Sequence, residues 1–182
     1  MVRQWEREIR TKIKGRHALT TYMYHGNVKK ANFDELRNYD IVLTTYGTLG
    51  AEYGRFLKFE EKMKAQGVTE WDNIALKKEF PLMGPLSKWY RVILDEAQYI
   101  KNRNTKSARA ACQLNALTRF CLTGTPMMNS VEELYSLIHF LRIKPYNQWQ
   151  RFSAVSLFTY LLCSMYTGFD RLLIILGFSM FG

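Results

Sequence analysis

The sequence predicts an α/β domain with a parallel sheet flanked by helices, and three observations carry that expectation. Short apolar, partly β-branched runs alternate with helix-like segments at the spacing of strand–helix–strand units. One run, Val92-Ile93-Leu94, is apolar throughout and reads as a fully buried parallel strand. The runs close on polar groups: Thr44-Thr45-Tyr46, Asp95-Glu96 and Thr123-Gly124-Thr125. Open α/β sheets bind ligands outside the carboxyl ends of their strands, so these are the positions where chemistry is expected.

In chain order, Val2, Trp5, Ile9 and Ile13 recur at helical spacing among charged residues and predict an amphipathic helix over 2–14. Leu19–Tyr24 is β-branched and aromatic, and reads as a strand closing at His25-Gly26-Asn27. A short helix over 30–38 leads to a second buried strand, Ile41–Tyr46. Residues 50–80 are rich in Glu and Lys with isolated Phe56, Phe59 and Trp71, and read as exposed helical or irregular material inserted between strands. Pro81 and Pro85 bracket the return to the sheet. After the acid pair, Thr105–Leu117 predicts a helix with an Ala-rich face, and Arg119–Leu122 predicts the next strand. Ser130 then caps a helix over Val131–Leu141, with Glu132 and Glu133 in its first turn, where the helix dipole favours anions.

At 182 residues the chain supports one ordinary domain, or one domain with a tail; its 47% hydrophobic and 23% charged residues exclude a disordered polyelectrolyte. The net charge of +10 favours a polyanionic partner, either nucleic acid or an acidic membrane surface. Cys112, Cys121 and Cys163 lie far apart, with no CxxC and no histidine at ligand spacing, which argues against a disulfide framework or a zinc site. Met1–Lys14 is charged throughout and lacks the apolar core of a signal peptide.

Two adjacent carboxylates at a strand end suit a nucleotide site. Asp95 can hold Mg²⁺, usually through water, while Glu96 polarises the water that attacks a γ-phosphate. Taken alone, Asp95-Glu96 reads equally as a strand ending in solvated acids, and Thr123-Gly124-Thr125-Pro126 as an ordinary turn.

Together, RVILDEAQYIKN, FCLTGTPMMNSVEELYSLIHFL and YDIVLTTYGTL resemble the motifs of Swi/Snf-type DNA translocases of helicase superfamily two. Within them the chain resembles most the fungal, repair-associated branch that often carries an inserted RING ubiquitin-ligase finger. The resemblance runs from about residue 3 to residue 150, with the three motifs in the family's order. It implies a first RecA-like P-loop NTPase lobe over 1–153, ATP and Mg²⁺ as cofactors, double-stranded DNA or chromatin as partner, and a nuclear setting. By the same resemblance Asp95 and Glu96 match the acid box, and Gln98 is its fourth residue, which helps couple the nucleotide site to a second lobe. Thr123, Gly124 and Thr125 match the motif linking hydrolysis to strand movement, and Thr44, Thr45 and Tyr46 a motif that touches the DNA phosphate backbone. His25-Gly26 with Lys29 also fits a DNA-proximal motif, though a plain turn fits as well. Lys101-Asn102 lies at the family's usual distance from the acid box, in a structural or DNA-proximal role. Gln4, Trp5 and Glu8 resemble the tail of the segment after the first DNA-contacting motif. A translocase must grip any sequence, and hydroxyls at strand ends suit that task because they bind phosphates rather than base edges.

The family's phosphate cradle, G-x-x-x-x-G-K-[ST], occurs nowhere in the chain. Its usual place is upstream of Trp5, and the second RecA-like lobe would follow residue 150. The expectation is therefore a partial lobe lacking the P-loop strand, inactive as an isolated chain. From Ala154 onward no continuation of the lobe is recognisable. Phe152–Phe169 is an uncharged run of 18 residues, barely long enough to span a membrane. Two readings of the tail over 154–182 stand: a membrane anchor, or a translated intron or frame-shifted end, which the abrupt change of composition favours. Three functions compete on this sequence: a translocase lobe, a catalytically dead DNA-binding lobe, and a membrane-anchored protein.

Overall fold

The structure, a computed structural model, describes residues 1–26, 31–67, 73–126 and 130–155. The elements in order are α1 (Val2–Lys12), β1 (Thr21–Met23), α2 (Phe33–Leu36), β2 (Ile41–Leu43), α3 (Tyr46–Ala65), α4 (Asn73–Glu79), β3 (Lys88–Leu94), α5 (Lys106–Gln113), β4 (Asn115–Cys121) and α6 (Val131–Leu141). β1 pairs with β2 and β3 with β4, both in parallel, so the α/β class with parallel strands holds. Among the described residues these are two separate two-stranded ladders.

Side-chain caps fix several of the helix starts. Asn32 Oδ1 accepts from Glu35 N at 2.9 Å while Asn32 Nδ2 donates back to Glu35 Oε1, which starts α2. Thr45 Oγ1 accepts from Thr48 N at 3.1 Å and Thr105 Oγ1 from Ala108 N at 3.2 Å, starting α3 and α5. Each such cap stabilises by about 1 kcal/mol. Ser130 holds the cap position of α6, but its side chain makes no capping bond. Glu133 in that first turn instead meets Lys101 Nζ at 3.3 Å.

Three expectations are corrected. The first concerns Val92-Ile93-Leu94, which is not buried on both faces. Leu94 is buried, but Ile93 is 54% exposed and its register partner Phe120 39%. Among the described residues helices cover the face of Leu94 and leave that of Ile93 open. The second concerns the helix over 105–117, which stops at Gln113. Leu114 turns extended, and residues from Asn115 pair with β3 from Lys88 onward, so ladder bonds outweigh helix propensity there. The third is the reach and exposure of the segment after β2. That strand ends at Leu43, because the Thr45 cap turns Tyr46 into the first residue of α3. Within 50–80, Gly50, Glu52, Tyr53, Leu76 and Phe80 are buried rather than exposed.

α3 packs on α5 closely enough that a side-chain carbon at Gly50 would lie 3.3 Å from Ser107 Oγ. Around this seam Leu36, Leu49, Ile100, Ala110, Ala111 and Phe140 form the core. Glu52 is 1% exposed within it. Its Oε1 accepts from Leu82 N at 2.8 Å and Met83 N at 3.0 Å, and Tyr24 Oη donates to Oε2 at 3.5 Å. A buried carboxyl is tolerated because it satisfies backbone donors that would otherwise be orphaned. Phe56 and Phe59 contact the Phe80 ring at 5.2 and 5.5 Å, holding the same turn to α3. No helix among the described residues is long and apolar enough to cross a membrane. Most of the 152–169 run and of the 154–182 tail lies outside the described residues.

Two stability predictions follow from this packing. Burial pushes the Glu52 carboxyl up to about 7 against an ordinary value of 4.5, so the folded state binds its proton more tightly than the unfolded chain does. Stability from this group is present below about pH 4.5 and lost as pH rises through about 7, roughly 2–4 kcal/mol in all. Urea midpoints taken from pH 5 to pH 8 should fall for the wild type, and Glu52→Gln should flatten that slope. At Gly84 an added side-chain carbon would sit 2.8 Å from the Phe80 carbonyl oxygen, inside contact distance. Gly84→Ala should lower stability by about 1–3 kcal/mol in the same unfolding measurement.

Candidate functional site

β3 delivers the acid pair and β4 delivers the threonines. Two backbone bonds run past the strand ends and hold them together: Leu122 N donates to Leu94 O at 2.8 Å, and Ala97 N donates to Leu122 O at 2.9 Å. The chain then enters a short 3-10 turn, Ala97–Ile100, through Glu96 in the left-handed region at φ 49, ψ 52. A non-glycine residue held there costs on the order of 1–3 kcal/mol, and Ala97 and Ile100, both fully buried, hold the turn in place.

The side chains form a continuous line. Gln98 Nε2 donates to Glu96 Oε2 at 2.6 Å, Thr123 Oγ1 donates to Gln98 Oε1 at 2.8 Å, and Thr125 N donates to Thr123 Oγ1 at 3.1 Å. Glu96, Gln98, Thr123 and Thr125 are thereby brought together, although 27 residues separate Glu96 from Thr123. The Gln98 amide touches both neighbours at once. Gly124 lies between the two threonines with open space about its α-carbon.

Asp95 sits beside this line. Its Oδ1 accepts from Glu96 N at 3.0 Å, its Oδ2 from the Trp5 indole Nε1 at 2.7 Å, and its carbonyl from Tyr46 Oη at 2.9 Å. Among the described residues neither Asp95 nor Glu96, both half-buried, has an ion-pair partner, so no cation offsets the acid pair. That arrangement fits Mg²⁺, which keeps most of its water and takes one or two protein carboxylates together with phosphate oxygens. Among the described residues no cluster of three or more His, Cys, Asp or Glu side chains could make an all-protein cage for a metal.

The remaining predicted residues lie along the start of α3. Thr44 Oγ1 donates to Tyr24 O at 2.9 Å, Thr45 caps α3, and His25 Nδ1 lies 3.5 Å from Thr48 Oγ1. Tyr46 turns toward the acid pair, stacked on Tyr99 at 5.4 Å between ring centroids, and burial with nearby Cys121, Asp95 and Glu96 pushes its hydroxyl pKa up. Lys29 lies outside the described residues. Sequence reasoning missed the contacts of Trp5 and Tyr46 with Asp95. The available signal was an aromatic donor on the one apolar stripe of α1, but nothing local says that its partner is 90 residues away.

The family profile described as SNF2-related domain matches residues 1–176. An ATP-dependent helicase of Schizosaccharomyces pombe is 48% identical over 154 residues, covering 84% of this chain and 14% of the relative. The DNA repair protein RAD5 of Mycosarcoma maydis is 37% identical over 159 residues, covering 85% of this chain and 10% of the relative. Among solved structures, the Sulfolobus solfataricus SWI2/SNF2 ATPase core in complex with double-stranded DNA matches with a TM-score of 0.52 and 28% identity, over 82% of this chain and 25% of that one. The chain thus spans about a tenth to a seventh of the length of these two curated relatives. With its parallel strands, its acid box and its threonine loop in one arrangement, the chain belongs to the SNF2-related domain family and has the fold of that family's RecA-like ATPase lobe.

Proposed function

We propose that residues 1–153 are part of the first RecA-like lobe of an ATP-dependent translocase on duplex DNA, acting in chromatin remodelling or DNA repair in the nucleus. The observation that carries this reading is the line Glu96–Gln98–Thr123–Thr125, which joins an acid pair to a Thr-Gly-Thr loop through two short side-chain bonds. Asp95 would hold a water-coordinated Mg²⁺, the ion that offsets charge on the β- and γ-phosphates of bound ATP. Glu96 would accept a proton from the attacking water, and Gln98 would keep that carboxylate oriented. Thr123 and Thr125 would exchange partners as a second lobe closes, carrying the state of the nucleotide outward. Thr44 and Thr45, with His25 and Lys29, would form the DNA-side surface, the two threonine hydroxyls donating within the fold to Tyr24 O and Thr48 Oγ1, and Tyr46 would tie that surface to the acid pair through its bond to the Asp95 carbonyl. The relatives support this reading by their names, a DNA repair protein and an ATP-dependent helicase, and the solved ATPase core by its duplex DNA.

A second reading, duplex binding without turnover, is favoured for the isolated chain by one observation. The sequence has no phosphate-cradling loop. That loop and an arginine finger from a second lobe supply much of the transition-state stabilisation, the finger alone about 10³–10⁵ in rate.

The isolated chain should therefore bind duplex DNA at low salt, lose affinity steeply as salt rises, and release no phosphate from ATP. Fluorescence anisotropy across about 50–200 mM salt, with a phosphate-release assay at micromolar protein, checks all three. Salt-insensitive or absent DNA binding would contradict the DNA-side assignment. Robust turnover would contradict the inactivity of the chain alone.

A further inference from the structure

We infer that Trp5 is a positioning residue for Asp95, its indole N–H fixing the carboxylate that carries the magnesium ion. This inference rests on the nucleotide-hydrolysis reading above.

Trp5 and Asp95 stand 90 residues apart and meet at 2.7 Å, within the range of strong hydrogen bonds to a charged acceptor. Trp5 is 39% exposed, so ring burial alone does not account for where the side chain lies. An indole can only donate, and it has one hydrogen to give. That hydrogen is spent on the acid that faces the proposed nucleotide.

The chemistry of the three donors on Asp95 gives the contact its meaning. Oδ2 takes the Trp5 indole, Oδ1 the Glu96 backbone N–H, and the carbonyl the Tyr46 hydroxyl. All three donors are uncharged. A lysine or arginine in the place of Trp5 would orient the carboxylate equally well, but it would cancel the charge on which a cation depends. A neutral donor fixes the rotamer and leaves the full negative charge in place. An ionised carboxylate offers about four lone-pair sites, so two bonds to the protein leave room for metal-bound water. Outer partners that orient a metal-binding carboxylate in this way typically account for 10–100-fold in metal affinity.

Mn²⁺ is the probe, since it shares the oxygen preference of Mg²⁺ and is paramagnetic. In the full 182-residue chain, Mn²⁺ affinity by electron paramagnetic resonance is compared for wild type, Trp5→Phe and Asp95→Asn. Circular dichroism checks that each is folded. Phenylalanine keeps the ring and removes the N–H, so Trp5→Phe should bind Mn²⁺ about tenfold more weakly, and Asp95→Asn should lose the site. In the ¹⁵N spectrum the Trp5 indole resonance, one of four, should shift in Asp95→Asn and should broaden before the other three when Mn²⁺ is added to wild type. A folded Trp5→Phe with wild-type Mn²⁺ affinity, alongside loss in Asp95→Asn, overturns the positioning role and leaves the hydrolysis reading intact. Unchanged Mn²⁺ binding in Asp95→Asn overturns Asp95 as metal ligand, and the hydrolysis reading and this inference fall together. Should Trp5→Phe fail to fold, the indole resonance decides: a position unaffected by Asp95→Asn, or no selective broadening, overturns the inference.

Discussion

Two backbone hydrogen bonds, from Leu122 to Leu94 and from Ala97 to Leu122, set everything else at this site. They continue the β3–β4 ladder past its regular end and bring two loops of different sequence origin to within side-chain reach. Parallel pairing matters here, because only parallel neighbours put both carboxyl ends, and both loops, on the same rim. Once the rim is fixed, Gln98 can bridge Glu96 and Thr123 without further help. The left-handed backbone at Glu96 follows from the same constraint. The chain must turn sharply between a ladder position and the fully buried Ala97, and Glu96 takes that turn.

A second layer ties this rim to the surface proposed to meet DNA. Thr45 caps α3 and Tyr46 is the first residue of that helix, so their positions move together. Tyr46 reaches the Asp95 carbonyl and stacks on Tyr99, one residue beyond Gln98. The start of α3, proposed to face DNA, and the carboxylates proposed to face a nucleotide are therefore joined by one phenol ring. α3 is itself held by the close approach at Gly50 on one side and the buried Glu52 on the other.

The class of fold was legible in the sequence because it rests on short-range signals, and the same signals proposed the residues of the candidate site. The apolar runs marked β2, β3 and β4, and the polar residues at their ends marked the rim. Helices α1 and α6 followed from periodicity to within a residue or two. What was not legible depends on pairing between distant segments. Asn115-Ala116-Leu117 suits a helix on its own, and becomes a strand only because β3 begins as early as Lys88. The charge-rich stretch after β2 looks exposed in sequence because a glutamate there signals solvent. Glu52 is buried because a turn 30 residues later supplies two N–H donors, a fact no local pattern carries. An unbroken apolar run such as Val92-Ile93-Leu94 implies cover on both faces, yet the Ile93 side of β3 stays open among the described residues. Trp5 shows the same limit, since its spacing placed it on a helix face but could not reveal its acceptor.

The central assignment is Glu96 as the base that activates water, held in place by Gln98 and Thr123. The most direct measurement is single-turnover ATP hydrolysis by a protein carrying this lobe together with a P-loop and a second lobe, comparing wild type with Glu96→Gln, alongside ATP binding by each. Removal of a general base costs about 10²–10⁴ in rate, so hydrolysis should fall by that factor while ATP and duplex DNA still bind. Hydrolysis at the wild-type rate in Glu96→Gln would contradict the assignment.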